Sequence, residues 1–147
     1  MVVTDRNLKI RRRVFPNAEA VVFKNVRGFV SLPILLRKLL RYLKPKQLEV
    51  LVYLWLRSDQ YGLCYPTVEE IADELGQQNT SRIRKTVRDL EEMSFLSTSV
   101  QRGRTYFLVH DPRHAVAKLR KRGKLRDDEF DEIKDLLDML KLPPIKE

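Results

Sequence analysis

Ser81, Arg84, Lys85 and Arg88 lie along a segment whose apolar residues, Ile83, Val87 and Leu90, are spaced four and three. At 100° per residue, Ser81, Lys85, Arg88 and Glu92 point away from the side that those three would bury, and Arg84 lies on the flank of the exposed face. Guanidinium groups present a fork of donors that can grip a phosphate or a base edge with two bonds at once. An ammonium binds as a point charge, and a hydroxyl both donates and accepts. Gln78 stands just before this segment with Gln77 and Asn79. Arg102 and Arg104 bracket Gly103 between two β-favouring runs. Such chemistry is recognition of an anion with an ordered edge, with no covalent bond made or broken.

No competing reactive centre is readable. His110 and His114 are four residues apart, but Pro112 lies between them, and a zinc site needs three or four ligands. They read as cap-region and surface histidines. Cys64 has no base beside it in sequence to activate it and reads as a half-buried packing residue. There is no glycine loop for phosphate and no close histidine pair of the kind rolling-circle nickases carry. The expectation is a protein that is not an enzyme and uses neither cofactor nor metal.

The formal net charge is +9 and the isoelectric point about 9.8, in a chain of 147 residues. A surplus of this sign draws in polyanions, of which nucleic acid is the first candidate. It is concentrated in residues 1–30 and 111–126, whereas residues 127–147 are net acidic. One cysteine excludes an intramolecular disulfide and fits a reducing compartment. No apolar run approaches the ~20 residues of a membrane span, and Lys9, Arg11, Arg12 and Arg13 precede no signal-like apolar stretch. A cytoplasmic protein with no membrane partner is expected.

Several elements must position these side chains. Residues 1–30 read as a basic arm with short strands at Val21–Phe23 and Phe29–Val30. Ser31 can cap a helix that runs to Leu43, and Pro45 starts another to about Arg57. That helix carries a stripe of Leu48, Leu51, Val52, Trp55 and Leu56, widened by Val50, Tyr53 and Leu54. Ser58 to Pro66 reads as a loop. Thr67 and Glu70 form a capping box for a helix that ends at Gly76. Asn79 or Thr80 can cap the next, to Met93. Phe95–Val100 and Thr105–Val109 form a hairpin around Gln101–Arg104. Asp111 caps a basic helix to Arg122, with Pro112 in its first turn. Asp127 to Leu140 forms the last helix, ended by Pro143-Pro144. The expected fold is mainly α with a small antiparallel β-hairpin. Its central unit is residues 31–110, flanked by the arm and by a helical extension over 111–147.

Between Leu43 and Val109 the sequence resembles the winged helix-turn-helix family, and is similar to winged-helix domains of bacterial transcription regulators and of plasmid and phage replication proteins. Three stretches carry the resemblance: Y-P-T-V-E-E-I-A-D-E-L-G, S-R-I-R-K-T-V-R-D-L-E-E-M-S-F-L and R-G-R-T-Y-F-L-V. The resemblance implies that the second stretch enters the major groove of DNA and that Ser81, Arg84, Lys85 and Arg88 contact bases or phosphates there. It implies wing contacts by Arg102 and Arg104. Ser94 departs from the pattern, because members often have glycine at that position.

The flanks leave alternatives open. Arg11, Arg12 and Arg13 could follow phosphates or the minor groove, or be a solvated tail. The basic helix with Lys118, Arg120 and Lys121 could lie along phosphates or pair with the acidic last helix. Phe130, Ile133, Leu137 and Leu140 could form a dimer seam or pack on the core. The expected function is binding of double-stranded DNA with sequence preference, as a homodimeric transcription regulator. A replication or plasmid-maintenance factor, and a winged helix that binds protein instead of DNA, are the alternatives.

Overall fold

The structure is a computed structural model, and it describes residues 5–16, 25–26, 29–30 and 35–145. The expected strand at Val21–Phe23 and the cap at Ser31 lie outside the described residues.

The first element among the described residues is helix α1 (Asp5–Val14). Strands β1 (Asn25–Val26) and β2 (Phe29–Val30) pair antiparallel. Helix α2 (Leu36–Leu39) continues into a 3₁₀ turn over Leu40–Tyr42. Helix α3 (Pro45–Arg57) has proline in its first turn, where no amide is missed, and Gln47 Oε1 accepts from the Lys44 amide at 2.9 Å. Strand β3 (Leu63–Cys64) follows, then helices α4 (Val68–Glu74) and α5 (Thr80–Glu92). Strands β4 (Leu96–Gln101) and β5 (Arg104–Val109) form the hairpin, and helices α6 (Arg113–Lys121) and α7 (Asp127–Met139) complete the chain.

The hairpin is part of a three-stranded antiparallel sheet in the order β3-β5-β4. The stretch expected as a loop therefore contains a strand, with Leu63 opposite Leu108 and Cys64 opposite Phe107. Two residues hold no periodicity, so only the pairing with β5 makes this a strand. Asp59 fixes the approach: its Oδ1 accepts from the amides of Tyr61 and Leu63 at 2.8 and 3.1 Å. Side chains alternate across the sheet. Phe107 and Val109 belong to the main core, whereas Tyr106 turns to the other face with Leu63 and Val14.

The N-terminal segment is a helix, not an arm. Its apolar edge, Ile10 and Val14, packs on Leu63 and Tyr106 and covers that outer face of the sheet. Burying these residues supplies what a mostly charged decapeptide lacks on its own.

One apolar cluster joins α2 to α7. Leu39, Leu51, Leu54, Ile71, Ile83, Leu90, Phe95 and Ile133 are at its centre. Helix α3 buries Val50, Leu51, Tyr53, Leu54 and Trp55, while Leu56, expected in the stripe, is 59% exposed. Cys64 is buried, and burial pushes its thiol up to about 12, which keeps it protonated and inert as a nucleophile.

Helix α7 is part of this core. Phe130, Ile133 and Leu137 are buried within the chain, so the expected dimer seam is occupied, and only Leu140 of that set is exposed. Polar contacts at its start lock it in place: Glu129 accepts from the Tyr42 hydroxyl, from Arg41 at 3.1 Å and from Arg126 at 2.9 Å. These donors hold the Glu129 carboxyl below its ordinary range, while burial and the Glu129 contact push the Tyr42 hydroxyl up to about 12.

Candidate nucleic-acid interface

Helix α4 begins at the expected Thr67 cap, but the reciprocal half of the box is not formed, because the Glu70 carboxylate pairs with Arg57 at 3.5 Å. Thr67 Oγ1 accepts from the Glu70 amide at 3.0 Å, and Ile71 and Ala72 face the core. Gly76 ends the helical turn with φ +66°, a conformation costly for a side chain with a Cβ. The turn that follows has two tethers. Gln77 Nε2 donates to Glu49 Oε1 at 3.0 Å, tying the turn to α3. Asn79 caps α5 by accepting from the amides of Ser81 and Arg82 at 3.0 and 3.3 Å. Gln77 and Asn79 thus have structural partners, and Gln78 is left exposed.

Helix α5 buries Ile83, Val87 and Leu90. Ser81, Arg84, Lys85 and Arg88 are all exposed, so the structure brings the four predicted residues to the surface of one helix. Arg82 is exposed as well, on the flank of that face opposite to Arg84. Arg84 is not idle: its guanidinium stands 3.9 Å from Glu69 and donates to Thr80 Oγ1 at 3.4 Å. Both partners are solvent-exposed, so this pairing is worth at most ~1 kcal/mol and yields readily to a phosphate or a base.

The exit from α5 is bent. Ser94 takes φ +64°, a left-handed conformation that glycine adopts freely. That costs a residue with a Cβ roughly 1–2 kcal/mol. Backbone bonds hold it there, from the Ser94 amide to Glu91 and from the Phe95 amide to Leu90, each at 3.0 Å. Glu91 then fixes the wing to the helix. Its carboxylate accepts from the Thr98 amide at 2.7 Å and from the Thr98 hydroxyl at 2.9 and 3.1 Å. No spacing rule points to this contact, because the hairpin register decides which strand residue meets Glu91.

The wing turns on two residues, Arg102 at φ +52° and Gly103 at φ +75°, with Gln101 opposite Arg104. Positive φ at both positions is the type I′ geometry that matches strand twist. Arg102 sits exposed at the tip. Arg104 is exposed too, with its guanidinium over the Tyr65 ring at 5.2 Å. By alternation it shares the outer sheet face with Tyr106, away from α5.

Helix α4 braces α5 through a capped turn and the hairpin follows, and residues 41–96 match the family model of a helix-turn-helix domain. The chain carries a winged helix-turn-helix domain. Comparison with curated proteins gives no match. The match stops at the first residue of β4, so the wing is established by the structure alone. A helix-turn-helix domain points to DNA as partner, and α5 stands in the place of the second helix of that motif.

The flanking cations divide. Arg12 and Arg13 are exposed as expected. Arg11 is not available to phosphate: it is 5% exposed, and its Nε donates to the Tyr61 carbonyl at 3.2 Å. Burial pulls its guanidinium below the ordinary value, with Asp59 acting in the opposite direction. Arg120 also turns inward, over the Phe130 ring at 3.8 Å and 3.5 Å from Asp127. Basic α6 therefore packs on acidic α7 through this residue. Lys121 stays exposed and Lys118 half-buried.

His110 and His114 do come together, with ring centroids 5.1 Å apart. His110 lies between Ser97 and His114 and is not a surface histidine. Among the described residues no group of three or more His, Cys, Asp or Glu could hold a metal. Nor is any described helix long and apolar enough to cross a membrane.

Proposed function

We propose that the chain binds double-stranded DNA with sequence preference, through the α5 face and the wing tip, and acts in the cytoplasm as a non-catalytic transcription regulator. The observation that carries this reading is the exposed set Ser81, Arg84, Lys85 and Arg88 on a helix capped by Asn79 and held to the wing by Glu91. A helix of this width fits the major groove, and each arginine that grips a guanine in two bonds adds about 1–3 kcal/mol of discrimination. Arg102 at the tip supplies a contact that positions without specifying. A chain that reads base edges acts by occupying its site, which blocks or recruits other proteins there. The reading includes a homodimer on an inverted repeat, with a contact other than the Phe130–Leu137 edge that the core occupies.

Selection from a randomised duplex pool, followed by sequencing at two salt concentrations, tests the proposal. One enriched motif is expected. Salt-sensitive binding with no motif would contradict sequence preference, and no binding at either salt would move the function to a protein partner.

A further inference from the structure

A second cationic site stands on the far side of the wing. Helix α1 crosses the outer face of the sheet, anchored by Ile10 and Val14. Between α1 and the wing lies an open cleft of about 500 Å³. Arg6, Lys9 and Arg13 line it from the helix, and Arg104 with Tyr65 and Tyr106 from the sheet side. No described residue that lines it is acidic. The three helix cations are spaced three and four, so one side of α1 carries them all. The two tyrosine rings meet at 5.5 Å and 55°, and Tyr65 is 37% exposed with Arg104 over it.

We propose that this cleft binds single-stranded nucleic acid, its phosphates on Arg6, Lys9 and Arg13 and a base against the Tyr65–Arg104 stack. Three features favour a single strand over the duplex. The site is concave and of nucleotide dimensions, which suits a strand that can splay a base and not a rigid double helix. Cations interleaved with aromatic rings form the usual platform for unpaired bases, since every base has a π face. And the site lies across the sheet from the exposed face of α5, so one duplex engaged in its major groove by α5 does not account for it. The inference builds on the nucleic-acid reading above but on different residues, so either can fail alone.

The test uses the full chain and a fluorescein-labelled oligothymidylate of about a dozen nucleotides. Fluorescence anisotropy is followed across a salt series for three proteins: wild type, the triple variant Arg6→Gln, Lys9→Gln, Arg13→Gln, and the double variant Arg84→Ala, Arg88→Ala. All five positions are exposed, and the apolar anchors of α1 are kept. Wild type should bind with an affinity that falls as salt rises. The triple variant should bind at least tenfold more weakly, with a salt slope reduced by about two, as expected for three lost contacts at ~0.7 each. The double variant should bind the oligomer like wild type while losing the selected duplex motif. Wild-type affinity in the triple variant would overturn the assignment. So would equal losses in the triple and double variants. Loss of duplex binding alone in the triple variant would place the duplex backbone in the cleft and likewise overturn it. Oligomer binding without any duplex motif would leave this site standing and sink the proposed sequence-reading role.

Discussion

Helices α5 and α7 have the same length, 13 residues, and the same inward grammar. One buries Ile83, Val87 and Leu90, the other Phe130, Ile133 and Leu137, all in one core. Outward they are opposites. Helix α5 shows Arg82, Arg84, Lys85 and Arg88 against one exposed acid, Glu92, whereas α7 shows Asp128, Asp131, Glu132, Asp135 and Asp138 against one exposed base, Lys134. A phosphate surface attracts the first and repels the second. Amphipathic spacing therefore builds the fold twice, and in the proposed function the outward charge decides which helix meets DNA. The acidic helix has an inward task instead: it closes the core and neutralises part of basic α6.

The largest expected effect concerns the buried edge of α7. Ile133→Asp places a carboxylate at a position only 2% exposed, and it should destabilise the fold by about 4 kcal/mol or more. Urea denaturation reads the loss. A folded protein of unchanged stability and smaller oligomeric size would restore the edge as a dimer seam and break the comparison.

Next in size is the joint between the wing sheet and the C-terminal helices. Burial, then His114 and Arg11, holds the His110 imidazole down at about 4. An unfolded chain protonates this residue near pH 6.5. The unfolded state therefore binds the proton first as pH falls, and acid favours it. Stability from this group is complete above about pH 6.5 and is lost towards pH 4, at most ~3 kcal/mol. In denaturation measured at pH 7 and pH 4.5, His110→Gln should show a smaller pH dependence than wild type. An equal dependence would remove His110 from the account.

The wing separates binding from stability. Arg102→Asn should stabilise the turn by about 0.5–1 kcal/mol, since asparagine tolerates positive φ better, while weakening binding to all duplexes alike. Thermal unfolding and anisotropy should thus move in opposite senses, and a changed base preference would make Arg102 a reader of sequence. The smallest effect belongs to the Arg84 partner. Glu69→Gln releases Arg84 and removes a negative charge, so duplex affinity should rise by about twofold to threefold, an amount typical of one exposed charge pair. Weaker binding would mean that Glu69 orients Arg84 for its contact.

What the sequence made legible were local features whose cause lies within a few residues. The Thr67 cap, the Asn79 cap and the Gly103 turn each follow from adjacent groups, and the exposed face of α5 follows from a 3.6-residue period. Long-range pairing hid the rest. Strand β3 exists because Phe107 and Leu108 lie beside it. Helix α1 exists because the sheet offers Ile10 and Val14 a face. Arg11 reads as a surface cation until Tyr61 is brought to it, and the choice between the two open readings of Arg120 waits on Phe130 and Asp127. The seam of α7 was visible, but periodicity shows that a face is apolar and not what covers it.

The central claim is that α5 reads base edges. It is tested most directly by the affinity of the doubly substituted Arg84→Ala, Arg88→Ala protein for the selected duplex and for a scrambled duplex of equal length, at one salt concentration. The account predicts a loss of about 1–3 kcal/mol per arginine on the selected duplex and a much smaller loss on the scrambled one, in a protein that unfolds like wild type. An unchanged ratio between the two duplexes would contradict it.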